Sequence, residues 1–284
     1  MTLTMTLGLL AALVQAPGEG TDTTIAVRAG TRLEVHNLSG DIIVRTWDRN
    51  SVRVQAEHSS RDRVDIGYGG VVLKISASSR RGAPRGVDYI VTVPVAMDLN
   101  LSGTYGDISV DGSTGRINVE SVQGDVAVRG GRSLVTLHSV GGDVQVSGVR
   151  GRLEASSTNG EVTVDDVEGE VYAETTNGDV MLRDIRSDNV SATTVNGDIV
   201  YRGTIGDNGQ YRLSTHNGDV TMTVPVGTNA TVTVSTFSGD FESDFPVTLT
   251  GPSRQGKRFS FTIGSGRATL ELESFQGSIR LVRP

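Results

Sequence analysis

Apolar and polar positions alternate in short runs along this chain, and the runs come in pairs. Ile117, Val119 and Ser121 alternate with Asn118 and Glu120, and a Gln123-Gly124-Asp125 turn follows. Val126 and Val128 then alternate with Ala127 and Arg129 before a second break at Gly130-Gly131. A period of two marks a strand with one buried face, so residues 115–132 hold two short strands and two corners. Eighteen residues on, the pattern returns as Val135, Leu137, Ser139, then Val144, Val146. It recurs from Leu153, Val171, Val190, Tyr211 and Val232, and again as Leu270, Leu272, Ser274 with Ile279 and Leu281.

The turn between paired strands sets the beat. Gly106-Asp107, Gly124-Asp125, Gly142-Asp143, Gly160-Glu161 and Gly178-Asp179 follow at intervals of 18, and Gly197-Asp198, Gly218-Asp219 and Gly239-Asp240 at 19, 21 and 21. An isolated copy is Gly40-Asp41. A fixed period near 20 predicts stacked coils that bury their apolar faces on one another. The fold class expected is all-β: a parallel β-solenoid, right-handed by the usual sense of parallel crossovers, with two short strands per coil of 18–21 residues. Coils stacking in chain order, about ten of them, would make a rod of roughly 45–50 Å.

Three columns at the turn carry the candidate chemistry. Positive φ at a sharp corner explains the glycines. The acids Asp107, Asp125, Asp143, Asp179, Asp198 and Asp219 have two readings: a row of cation ligands, or side chains that cap corner N–H groups in Asx-type turns. The nine-residue calcium-repeat pattern is absent from the sequence. Asn159, Asn177, Asn196 and Asn217 precede the glycine and predict an amide ladder.

The ends depart from this regularity. Residues 1–20 read as a signal peptide: Met5 to Ala16 has the length of a secretory apolar core, and Val14-Gln15-Ala16 resembles a cleavage site. The short-helix alternative rests on the missing basic residues ahead of that core. Residues 21–98 read as an irregular N-terminal β cap and 99–284 as the regular solenoid. Within the cap, Arg80, Arg81 and Arg85 lie in a loop that is either a solvated tip or a contact for anionic polymer. All six Phe residues lie between positions 237 and 275. They either close the end of the stack or, as Phe237 and Phe275, meet a partner. Val247, Leu249, Gly256, Phe259 and Phe261 suggest a degenerate coil between Gly239 and Gly277.

Composition narrows the function classes. The net charge of −7 argues against nucleic acid as a partner. The absence of Cys removes disulfides and thiolate metal sites and is compatible with an oxidising compartment. No apolar stretch reaches the ~18–20 residues of a spanning helix. His36, His58, His138 and His216 are dispersed, and no H-E-x-x-H, G-x-S-x-G or P-loop occurs. A six-residue aliphatic beat fails at Asp125, Arg132 and His138, which counts against a hexapeptide acyltransferase helix. No catalytic residue, cofactor or metal is therefore expected.

The run Gly40-Asp41-Ile42-Ile43-Val44-Arg45-Thr46-Trp47-Asp48 with Val52-Arg53-Val54, and the recurring Asn-Gly-Asp-Val coils, resemble a bacterial putative-adhesin family of β-strand-repeat proteins, catalogued as a domain of unknown function. The resemblance covers about residues 25–284 and carries fold rather than activity. The resemblance implies an adhesin; with the signal-peptide reading and the lack of clustered chemistry, the expectation is a non-catalytic, exported rod, periplasmic or at the cell surface, that binds an envelope polymer or protein. The alternative is an envelope protein that associates with itself end to end, and a polysaccharide-active enzyme is a third, lesser reading.

Overall fold

The computed structural model describes residues 20–246 and 257–284. The apolar N-terminal core with its cleavage site, and Val247, Leu249 and Gly256, lie outside the described residues. Everything described is strand, turn or loop. Two 13-stranded sheets face each other, and each coil contributes one strand to each sheet. At the spacing of ~4.8 Å between strands, 13 strands extend over roughly 58 Å. This exceeds the sequence expectation because extra strands from both chain ends join the sheets.

Through the middle of the rod the register is uniform. Ile117–Gln123 pairs in parallel with Asp98–Tyr105 on one side and Leu134–Ser139 on the other, with Val119 opposite Leu101 and Leu137. In the opposing sheet Val126–Gly130 lies between Ile108–Ser113 and Val144–Ser147. The alternation seen in sequence becomes alternation of burial: Val119, Val126, Val144, Val162 and Val180 are fully buried. Burying each such side chain contributes about 1.5–3 kcal/mol. A core of Val, Leu, Ile and Ala suits two sheets held close together.

The ends do not stack in chain order. The first coil, Arg32–Ser39 with Ile42–Trp47, lies between the later strands Val72–Ser79 and Asp88–Pro94 on its outer side and Asp98–Tyr105 and Ile108–Ser113 on its inner side. The last coil, Ala268–Gln276 with Ile279–Val282, is inserted between Gln210–Asn217 and Ala230–Thr236 in one sheet and between Val220–Thr223 and Phe241–Ser243 in the other. At each end the coil nearest the terminus is thus tucked one layer in. Antiparallel strands then cover the outermost layers: Gly20–Ala26, Ser51–Glu57 and Asp62–Gly69 at one end, Lys257–Ile263 at the other. Phe259 and Phe261 belong to that last antiparallel strand, not to a parallel coil between Gly239 and Gly277. The chain reverses at Gly264 and Gly266, both at positive φ, so this segment doubles back on its own coil before the final coil threads inward.

The six Phe residues divide by orientation. Phe241, Phe259 and Phe261 form an aromatic cluster with ring centroids 5.0–6.3 Å apart between the last layers. Phe237 and Phe275 are exposed.

Corner glycines set the spacing of the layers. Gly124 has φ +139°, and a Cβ on it would collide with the carbonyl oxygen of Gly106 one coil away. Replacing Gly124 by Ala should cost more than about 3 kcal/mol, combining backbone strain with overpacking. The same change at Gly70, whose φ is +64° but which faces open space, should cost only about 1–2 kcal/mol. Denaturant unfolding of the two variants checks this, and equal losses would show that contact between layers is not the constraint.

Candidate functional site

Four parallel columns run along the corner where the Gly-acid turns stack. The innermost is hydroxyl-bearing. Ser157 donates to the Gly142 carbonyl at 2.8 Å, Thr175 to Gly160 at 2.8 Å, Thr194 to Gly178 at 2.9 Å and Thr215 to Gly197 at 2.9 Å. Each bond joins one coil to its neighbour and satisfies a carbonyl that the corner would otherwise leave without a donor.

The acid column also works between layers. The Asp41 carboxylate accepts the Asp107 N–H at 2.9 Å, Asp107 accepts that of Asp125 at 2.8 Å, Asp125 that of Asp143 at 2.9 Å and Asp143 that of Glu161 at 2.8 Å. Beyond it, Asp179 accepts from Asp198 and Asp198 from Asp219, each at 2.8 Å. Glu161, one methylene longer, turns to the Thr163 hydroxyl at 2.6 Å. These carboxylates cap the backbone of the next coil, where an Asx turn would cap their own. Among the described residues no group of three or more His, Asp or Glu side chains is placed to hold a metal ion.

The amide column is continuous over four coils. Asn177 donates to Asn159 at 2.9 Å, Asn196 to Asn177 at 2.8 Å and Asn217 to Asn196 at 2.7 Å. Each ladder bond uses one N–H and one carbonyl lone pair. A primary amide has a second of each to offer a ligand.

Of the fourth column, reasoning from the sequence found only Phe237 and Phe275. Strand register places Leu38, Thr104, Val122, Val140, Thr158, Thr176, Val195, His216, Phe275 and Phe237 in successive layers, two residues before the corner glycine. None is charged. Leu38, Val122, Val140, Val195, Phe237 and Phe275 are exposed large hydrophobic side chains. At the C-terminal end the rings stack: His216 on Phe275 with centroids 4.7 Å apart, and Phe275 on Phe237 at 4.8 Å. The signal was present in the sequence as an uncharged residue just before the Asn position of every coil. The outward residues of the strand face, such as Asn118, Thr136, Glu154 and Arg212, are by contrast a mixture that points to no ligand.

Other candidates lie apart. Arg80, Arg81 and Arg85 are exposed in the loop between Val72–Ser79 and Asp88–Pro94. These strands belong to opposite sheets, so the loop is an enlarged corner of the outermost coil, and Asp88 there takes the place of the column acid by accepting the Asp41 N–H at 2.9 Å. The histidines stay dispersed: His138 bonds Ser156 at 2.9 Å and His58 bonds Thr21 at 3.0 Å.

An ion cluster occupies the opposite corner. Asp166, at φ +49°, lies between Arg150 at 3.0 Å and Arg186, and Arg150 also reaches Glu168 at 3.4 Å. The hydrogen bond from Arg150, then that from Arg186, holds the Asp166 carboxyl below the usual carboxylate range.

Two facing sheets of parallel strands, threaded at both ends and lined by corner ladders, define a two-strand β-solenoid. The chain belongs to the Toastrack DUF4097 family, whose model matches residues 12–282, and the resemblance seen in the Gly-Asp coils is thereby confirmed. No curated protein matches the sequence. Among solved structures, a putative adhesin from Bacteroides fragilis is similar over 93% of this chain and 97% of its own, with 12% identity and a TM-score of 0.47. A putative adhesin from Parabacteroides distasonis is similar over 93% and 98%, with 15% identity and a TM-score of 0.29.

Because the folded-state pKa of Asp166 is depressed, its charge stabilises the fold above the ordinary value of about 3.9, and that contribution disappears as pH falls through the folded value. Asn tolerates the left-handed backbone at this position. Asp166→Asn should therefore lower Tm at pH 7, and the gap from wild type should narrow as pH falls below the ordinary carboxylate value. Thermal melts across pH check this.

Proposed function

We propose that this protein is a non-catalytic rod that binds an extended, neutral polysaccharide along its Gly-acid corner, and that it acts after export, in the periplasm or at the cell surface. The observation that carries the reading is the column from Leu38 to Phe237, which holds no Asp, Glu, Lys or Arg in any of its layers while the outward strand face varies. Exposed hydrophobic side chains in six of its ten layers, interspersed with Thr and His, mark a contact surface.

The columns beside it select the ligand class. Amides of Asn159, Asn177, Asn196 and Asn217 offer donors and acceptors to hydroxyl groups, and the Phe, Val and Leu side chains offer surface to the C–H faces of sugar rings. The adjacent carboxylates repel polyanions. Dispersed histidines and the lack of a clustered acid–base pair among the described residues favour binding over catalysis. End-to-end self-association is the weaker reading. The outermost strands carry Asp22, Arg63, Asp65 and Arg258, and charge on an edge strand opposes pairing with another copy.

Retention on insoluble neutral glycans, compared with an anionic glycan, tests the proposal. The wild-type chain should be retained on at least one neutral glycan and not on the anionic one. Val140→Glu with Val195→Glu should lose at least about tenfold in retention without a change in Tm, since both side chains are exposed. Retention unaffected by the double substitution would refute a ligand on this corner, and binding of a basic peptide but no glycan would refute the ligand class.

A further inference from the structure

A cleft on the opposite corner points to a second site. We propose that it binds a small oxyanion, a carboxylate or a phosphate, carried on an apolar body. The cleft arises from a break in the stacking. Val149, Val167 and Ile185 form a buried column at this corner, and Ile185 pairs with Gly203 in the next layer, where no side chain continues the column. The following layer pairs only as far as Arg202 with Thr223. Two residues further on stands Pro225, which has no N–H to extend the ladder. A cavity of about 530 Å³ opens there.

Its lining suits an amphiphilic anion. Pro225 and Val282 give apolar surface over the buried Ile185, and Arg186, Arg202 and Arg283 line the cleft with Asp184 and Pro284. The arginines are not equivalent. Arg186 is engaged by Asp166, and Arg283 lies over the Phe245 ring at 5.0 Å. Arg202 is exposed and makes no ion pair with any described residue, so it is the group free to meet a ligand. A guanidinium matches the two oxygens of a carboxylate or phosphate.

The wall is also held in place. The Tyr201 hydroxyl donates to the Thr204 carbonyl at 2.8 Å, and the Tyr211 hydroxyl donates to the Ser187 carbonyl at 2.5 Å. The two rings pack edge to face with centroids 5.8 Å apart. A concave, largely apolar surface with a few convergent polar groups on a fixed backbone is the usual form of a small-molecule site. It is separate from the polysaccharide corner and does not depend on that reading.

Titrating the intact protein with hexanoate, hexyl phosphate, acetate and hexanol, read by backbone amide NMR, tests the site. Hexanoate or hexyl phosphate should shift the Gly203 and Thr204 amides saturably, and the tighter of the two assigns the head group. Acetate, lacking the apolar body, and hexanol, lacking the charge, should bind at least about tenfold more weakly. Arg202→Ala should weaken the anion at least about tenfold with Tm unchanged, whereas Arg129→Ala, on the same sheet but away from the cleft, should have no effect. The proposal fails if these amides show no saturable shift in the millimolar range, if Arg202→Ala binds as well as wild type, or if hexanol binds as tightly as hexanoate.

Discussion

Everything in this rod depends on how closely one corner can approach the next. Sheet hydrogen bonding fixes the distance between strands, and the corners must match it or the coils splay. At Gly124 the backbone lies so near the Gly106 carbonyl that no side chain fits between them. The hydroxyl, carboxylate and amide ladders follow from that approach. Once the corner backbones stand one strand spacing apart, a Ser or Thr reaches the carbonyl of the neighbouring coil and an Asp reaches its N–H. Hydrogen bonds between layers thus continue around the corner, where the sheets themselves stop.

The same geometry makes a surface. Side chains that bond between layers cannot also vary freely, so the amide and carboxylate columns are regular for structural reasons. The residue two places before the glycine has no such duty. Its freedom from charge from Leu38 to Phe237 is therefore the more informative regularity, because the fold does not impose it. The stack of His216, Phe275 and Phe237 shows how far this column differs from an ordinary solvated face.

Much of the fold was legible in the sequence because the repeat is short and each coil meets only its neighbours. Strand alternation, the two corners and the glycine column could be read from a single coil such as 115–132. What could not be read was order. Nothing in the spacing from Gly218 to Gly239 and Gly277 says that the last of the three layers lies between the other two, because the same apolar pattern suits either neighbour. Gly277 nonetheless packs on the Gly218 carbonyl, and Gly239 on that of Gly277. The antiparallel strands at the ends were hidden for a related reason: alternation reports a buried face but not the direction of the partner. The cleft beside Gly203 was hidden because it forms where three distant segments, near Ile185, Pro225 and Val282, converge.

The tucked terminal coils have a consequence for how such a chain can change length. Each end is a closed unit of two interleaved layers under antiparallel cover, and it meets the middle through one ordinary parallel interface. A duplication or deletion of one 18-residue coil between Gly106 and Gly218 would leave both units intact and move them apart or together by a single layer. The middle of the rod is in this sense a ruler, graduated in coils, whose reach evolution can set without redesigning either end.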